Sequence, residues 1–155
     1  MQPHDVFNRA FDATTTQLDQ WLTLVAADAD IEHERTASYW RVRLRPHQPG
    51  ACPVELMLSR SQSYDLDAGS ESVVAQPLTD LNLFQPLLQA VADGHLVHRT
   101  WAAQATGRVL THELIVHLAD GRDWRTRRIV HAGTAATELD AIARDRSYVA
   151  YRRIR

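Results

Sequence analysis

Leu96-Val97-His98-Arg99-Thr100-Trp101-Ala102-Ala103-Gln104-Ala105-Thr106-Gly107-Arg108-Val109-Leu110-Thr111-His112-Glu113-Leu114-Ile115-Val116-His117-Leu118-Ala119-Asp120-Gly121-Arg122-Asp123-Trp124-Arg125-Thr126-Arg127 is the stretch that decides the architecture. Two short turns, Ala105-Thr106-Gly107-Arg108 and Ala119-Asp120-Gly121-Arg122, each sit between apolar runs. Both place Gly third, where a hairpin needs a residue tolerant of positive φ. They predict an antiparallel meander of three strands from about Leu96 to His131. Three-residue loops at Ala105–Gly107 and Ala119–Gly121 pair Trp101 with Thr111, Arg99 with Glu113 and Val97 with Ile115. On the second hairpin they pair Glu113 with Arg127, His117 with Asp123 and Val116 with Trp124. An Arg99–Glu113–Arg127 ladder then crosses one face, and His98 and His112 share the other.

Outward from this meander the chain reads as further α+β structure. Phe7, Phe11, Leu18, Trp21, Leu22 and Val25 recur at helical spacing and predict a helix over Val6–Ala27, with a break expected near Asp12–Thr16. The acidic run Asp28–Glu34 leads into the first strand, Ser38–Arg45, where Trp40, Val42 and Leu44 alternate with Tyr39, Arg41, Arg43 and Arg45. Val54–Ser59 and Ser63–Leu66 continue as strands, the polar stretch Asp67–Ser72 follows, and Val73–Ala75 is a candidate strand. A helix over about 79–93 follows, with Thr79 or Asp80 as its cap and Gly94 beyond its end. Pro86 requires that helix to kink or to start late. After the meander, Thr134–Arg144 reads as a short helix and Ser147–Ile154 as a last strand. The expected fold is a single α+β domain over 1–155: a curved antiparallel sheet of about six strands with an N-terminal, a central and a short C-terminal helix.

Composition excludes more chemistry than it suggests. At 155 residues the chain suits one domain. Its 17 basic residues are all Arg, so a Schiff-base lysine, a phosphate-loop lysine and a kinase-type lysine are ruled out. Cys52 is the only cysteine, which removes internal disulfides, Cys-x-x-Cys pairs and multi-thiolate zinc sites; in its loop setting it reads as an incidental thiol. The net charge of -2 argues against a nucleic-acid binder, and no apolar run has the length of a membrane span. With no signal-peptide pattern, the expected location is the cytoplasm. The charge is unevenly spread: residues 1–34 hold seven acids against Arg9, and residues 120–155 hold nine Arg against five acids.

The candidate sites follow from that spread. His112-Glu113-Leu114-Ile115-Val116-His117 is one residue too long for a zinc-protease motif, and on a strand its two His point to opposite sides. His98 and His112 make a better pair, but a metal or acid–base site needs a third ligand that the sequence does not nominate. Tyr39, Arg41, Arg43 and Arg45 form a comb on one strand, and Arg99, Glu113 and Arg127, with Arg125 beside them, form a second charged face able to take a carboxylate or phosphate. The favoured function is a binding or interaction protein that offers an Arg-rich sheet face to an acidic protein partner, with no cofactor. A homo-oligomer seam on the comb strand stays open.

The segment Trp21-Leu22-Thr23-Leu24-Val25-Ala26-Ala27-Asp28-Ala29-Asp30-Ile31-Glu32 resembles the opening of nuclear transport factor 2-like proteins, including small subunits of ring-hydroxylating dioxygenases. There a helix runs through a Trp-Leu pair to an acidic turn and a strand. The Thr134–Arg144 helix and the strand after it depart from that plan. The resemblance implies a cone-shaped α+β fold and an alternative function, small-molecule binding or catalysis in a pocket, with Asp28, Asp30, Tyr39, His98 and His112 as candidate lining.

Overall fold

A computed structural model describes residues 3–132 and 139–152. Among them the chain is α+β, with two α-helices, a 3-10 turn and two antiparallel sheets. Helix α1 spans His4–Val25 without a break. Thr14 and Thr15, expected to interrupt it, are buried on its inner face with Phe7, Phe11, Leu18, Trp21, Leu22 and Val25. Thr15 Oγ1 donates to the Asp12 carbonyl at 3.3 Å, so its hydroxyl is satisfied inside the helix.

The first sheet runs β1-β2-β3-β4-β5, with β1 at Ala29–Arg35, β2 at Tyr39–Pro46, β3 at Val54–Ser59, β4 at Ser63–Ala68 and β5 at Glu71–Pro77. The acidic run is therefore itself a strand and does not merely precede one. Its register explains why: Asp30, Glu32 and Glu34 lie opposite Arg45, Arg43 and Arg41. Opposite-charge neighbours offset the poor strand preference of Asp and Glu. Strand β5 is complete where the sequence suggested only Val73–Ala75. It closes a turn whose Gly69 has φ +60°, and its pairing with β4 shifts register between Tyr64 and Leu66, where the Asp65 carboxylate accepts from the Ala75 amide at 2.6 Å.

The Asp80 carboxylate caps a 3-10 turn, Leu81–Leu83, by accepting from the Asn82 amide at 3.0 Å. Helix α2 begins only at Phe84 and ends at Ala92. That late start puts Pro86 in the first turn, where no intrahelical partner for its nitrogen is needed.

The second sheet has the order β8-β7-β6-β9, with β6 at Leu96–Ala103, β7 at Val109–His117, β8 at Asp123–Ile129 and β9 at Ala141–Ser147. All six pairings expected for the meander are present. The second loop is three residues long, closed by the Leu118 amide on the Arg122 carbonyl at 2.8 Å, with Gly121 at φ +89°. The first differs. Ala103 closes on Arg108, giving a four-residue loop, and a bulge between Trp101 and Ala102 restores the register.

The C-terminal expectations need correcting. Residues 134–138 of the expected helix lie outside the described residues, and Ala141–Arg144 belong to strand β9, antiparallel to β6. The expected last strand is likewise absent over 148–152. There Val149 makes only an isolated parallel bridge to Ala51, and residues 153–155 lie outside the described ones. The predicted single six-stranded sheet is thus two sheets of five and four strands. One core joins them: α1 and α2 pack with Trp40, Val42, Leu44, Leu56 and Leu58 of the first sheet and with Leu96, Leu114 and Val116 of the second.

Candidate functional site

The comb forms as expected on β2, but β2 is an interior strand and not an edge. Trp40, Val42 and Leu44 enter the core, and Tyr39, Arg41, Arg43 and Arg45 face outward. Arg41 and Arg43 close on Glu55 of β3, their Nε atoms donating at 2.7 and 3.0 Å. Glu32 of β1 takes Arg43 at 3.4 Å and Arg45 at 3.9 Å. Burial alone would raise Glu55, yet the two guanidinium hydrogen bonds outweigh it and hold the carboxyl below its ordinary value. Glu34 bonds Tyr39 and raises its phenol. The register adds Asp30 beside Arg45 and Asp65 and Asp67 beyond β3, so carboxylates outnumber guanidiniums on this face.

The Arg99–Glu113–Arg127 ladder lies on the outer face of the second sheet. Its members sit in register, but Arg99 turns to β9, donating from Nε and Nη2 to Asp145 at 2.7 and 3.0 Å. Glu113 accepts from the Trp101 indole at 3.0 Å and stands 3.8 Å from Arg125, which also meets Asp123 at 3.1 Å. Exposed Arg127 has no hydrogen-bond or ion-pair partner among the described residues. It borders a hollow of about 340 Å³ whose wall includes Trp101, Leu110, Thr111, Glu113 and Ile129. Beside the bulge after Trp101, the consecutive residues Leu110 and Thr111 are both buried.

On the opposite face of the same sheet, His98 of β6 and His112 of β7 stack with ring centroids 5.0 Å apart and planes at 15°. Neighbouring strands on a pleated sheet bring such diagonal residues together. The missing third group comes from the other sheet. Glu71, at the start of β5 and 3% exposed, accepts from Arg128 Nε and Nη2 at 2.9 and 3.0 Å and lies 3.2 Å from His98 Nε2. Thr100 Oγ1 is 3.4 Å from His112 Nδ1. One potential ligand atom each from Glu71, His98 and His112 falls within 4.8 Å of the others. This seam ties the two sheets together.

The electrostatics of the seam are mutual. Burial would raise the Glu71 carboxyl, but hydrogen bonds from Arg128 and His98 prevail and keep it ionised below its usual value. Burial first, then the charges of Arg128 and His98, push the His112 imidazole down toward its neutral form. Sequence reasoning found the two His but missed Glu71 and Arg128. Arg128 was within reach, because the predicted ladder places it directly opposite His112. Glu71 carries no local signal. It meets His98 only through packing across 27 residues of chain and Arg128 across 57.

The remaining candidates are dispersed. Asp30 pairs with His47 at 2.9 Å, where the carboxylate hydrogen bond raises the imidazole. Asp28 stands 3.8 Å from Arg152. Neither belongs with Tyr39 or the His pair. Cys52 is fully buried, and burial pushes its thiol up to about 12, which leaves it protonated at neutral pH. His117 faces Asp123 at 2.8 Å, on the side of β7 away from His112. No helix among the described residues is long and apolar enough to cross a membrane. No known protein family, curated protein or solved structure matches the chain.

Proposed function

We propose that the protein is a binding module that takes an acidic segment of a partner protein on the outer face of its four-stranded sheet, with Arg127 as the anchoring cation. The observation that carries this reading is the contrast among the outward-facing guanidiniums. Arg41, Arg43, Arg45, Arg99 and Arg125 each hold a carboxylate of the chain, while Arg127 holds none among the described residues. A carboxylate arriving at Arg127 makes a new charge-assisted hydrogen bond without breaking one. The hollow beside it, about 340 Å³ and walled by Trp101 and the 67%-exposed Ile129, suits an apolar side chain next to that carboxylate. A partner docking on the comb would first have to displace Glu32 and Glu55.

The pocket reading, with Asp28, Asp30, Tyr39, His98 and His112 around one cavity, draws less support. Phe7, Phe11, Leu18, Trp21 and Leu22 occupy the space under α1, and the five candidates fall into separate neighbourhoods.

Native mass spectrometry of protein gently purified from its own cells tests the proposal. The wild type is compared with Arg127→Glu and with Arg41→Glu/Arg43→Glu. An acidic protein partner that is lost from Arg127→Glu and kept by the double variant is the expected result. A partner kept by Arg127→Glu and lost from the double variant moves the interface to the comb. A small organic acid that leaves with Arg127→Glu makes the hollow a small-molecule site instead.

A further inference from the structure

We propose that Glu71, His98 and His112 form a binding site for one divalent transition-metal ion of the zinc class, held shut by Arg128 until the ion displaces its guanidinium. This is independent of the outer-face interface, since it lies on the opposite side of the sheet.

The donor set is the first argument. Two imidazoles and one carboxylate suit Zn²⁺, Co²⁺ or Ni²⁺, and no thiolate is present to favour a softer ion. Geometry is the second. Metal–nitrogen and metal–oxygen bonds of about 2.1 Å in a tetrahedral site put neighbouring ligand atoms about 3.4 Å apart. His98 Nε2 and Glu71 Oε1 already stand at 3.2 Å, and no pair in the trio exceeds 4.8 Å. The ligand atoms therefore have to close by about 1.4 Å at most. Because the two rings stack at 15°, one imidazole also has to turn out of the stack so that both lone pairs converge on the ion. The three ligands come from β5, β6 and β7, whose backbones are fixed by ladder hydrogen bonds, so little ordering is left to the ion.

Support around the ligands is also present. His112 Nδ1 lies 3.4 Å from Thr100 Oγ1; in the tautomer that carries its proton on Nδ1, this hydroxyl is the acceptor and Nε2 keeps its lone pair for the ion. Glu71 is 3% exposed, so its charge is aimed into the seam and not toward bulk water. A buried carboxylate needs a counter-charge, and Arg128 supplies it through both Glu71 oxygens. The Arg128 side chain is itself 53% exposed. It can swing into solvent as the ion takes over the neutralising role.

The test uses untagged protein, titrated with Co²⁺ followed by visible absorption and with Zn²⁺ followed by calorimetry. The wild type is expected to take up one equivalent with the intense d–d bands of a low-coordinate site. His98→Gln, His112→Gln and Glu71→Gln are each expected to weaken binding by at least the 10–100-fold that even supporting groups command. Arg128→Gln is expected to bind more tightly than the wild type, because it removes the competitor; a residue that merely braces the fold would not act in that direction. Far-UV circular dichroism on each variant confirms that the comparison is between folded proteins. His47→Gln and His117→Gln, which remove exposed His–Asp pairs, are expected to change nothing. No saturable uptake by the wild type, or uptake that survives all three ligand substitutions, overturns the proposal.

Discussion

On the five-stranded sheet, Glu55 takes Arg41 and Arg43 together while Glu32 holds Arg43 and Arg45. On the four-stranded sheet, Asp145 takes Arg99, and Arg127 is left facing solvent beside a hollow. Both stripes arise from the same strand alternation, so the difference lies in what the neighbouring strands contribute. Strand β1 supplies an acid opposite each comb arginine, and β3 supplies Glu55 from the other side. Among the described residues, strand β8 is an edge with a hydrogen-bonded neighbour on one side only. An interior strand can have its charge neutralised from two sides, while an edge strand keeps what its single neighbour leaves over.

The sharpest way to break this contrast is to remove the carboxylate at the centre of each network. Glu71→Ala is expected to lower stability by about 2–3 kcal/mol in urea unfolding, since it strips hydrogen bonds from charged partners inside the seam. Glu55→Ala, in a more solvated network, is expected to cost under about 1 kcal/mol. Equal losses would show that seam and comb are equivalent surface networks.

Acidity separates the regions next. The His112 imidazole is lowered, so below its ordinary value of 6.5 the unfolded chain takes up a proton that the folded one refuses. Its contribution is complete above that value and is lost as pH falls toward the folded one. Glu71 and Glu55 are both lowered, so their contributions hold above about 4.5 and fade below it. His47, raised by Asp30, contributes with the opposite sign in this window. The seam is therefore read from the difference between thermal melts of the wild type and His112→Gln, which is expected to decline from near pH 6.5 downward. A second decline, below about pH 4.5, remains in that variant. A wild type and a His112→Gln variant whose profiles run parallel between pH 7 and about 5 would deny the seam its part.

The smallest effect is expected from Arg45→Ala, whose one carboxylate contact among the described residues is a 3.9 Å approach between two exposed side chains. Its melting midpoint should match the wild type within error, and a measurable drop would mean the comb acts as a cooperative network.

How much of this was legible in the sequence depends on how local each determinant is. The six named pairings of the meander were read to the residue, because glycine turns and alternating side chains act over a few positions, while the longer first loop and the bulge after Trp101 were not. Residues Ala141–Arg144 of strand β9 were misread as helix. Ala141, Ala143, Arg144 and Arg146 favour helices in isolation, and only the ladder against β6, with Asp145 meeting Arg99, draws them into a sheet. Strand β1 hid for a related reason, since its acids become acceptable only opposite the comb. The His pair was visible as a register, while its third partner was not, because Glu71 arrives from a different sheet.

Cys52 gives the molecule a clock. Its sulfur is buried, its thiol is held up at about 12, and its carbonyl accepts from the Tyr151 hydroxyl at 2.6 Å. A thiol reagent can reach it only when the packing around 52 and 151 opens, and there is no second thiol to blur the signal. The rate of labelling in native buffer thus counts openings of the core directly, and the same trace recorded with Zn²⁺ or a partner added measures how far either one slows them.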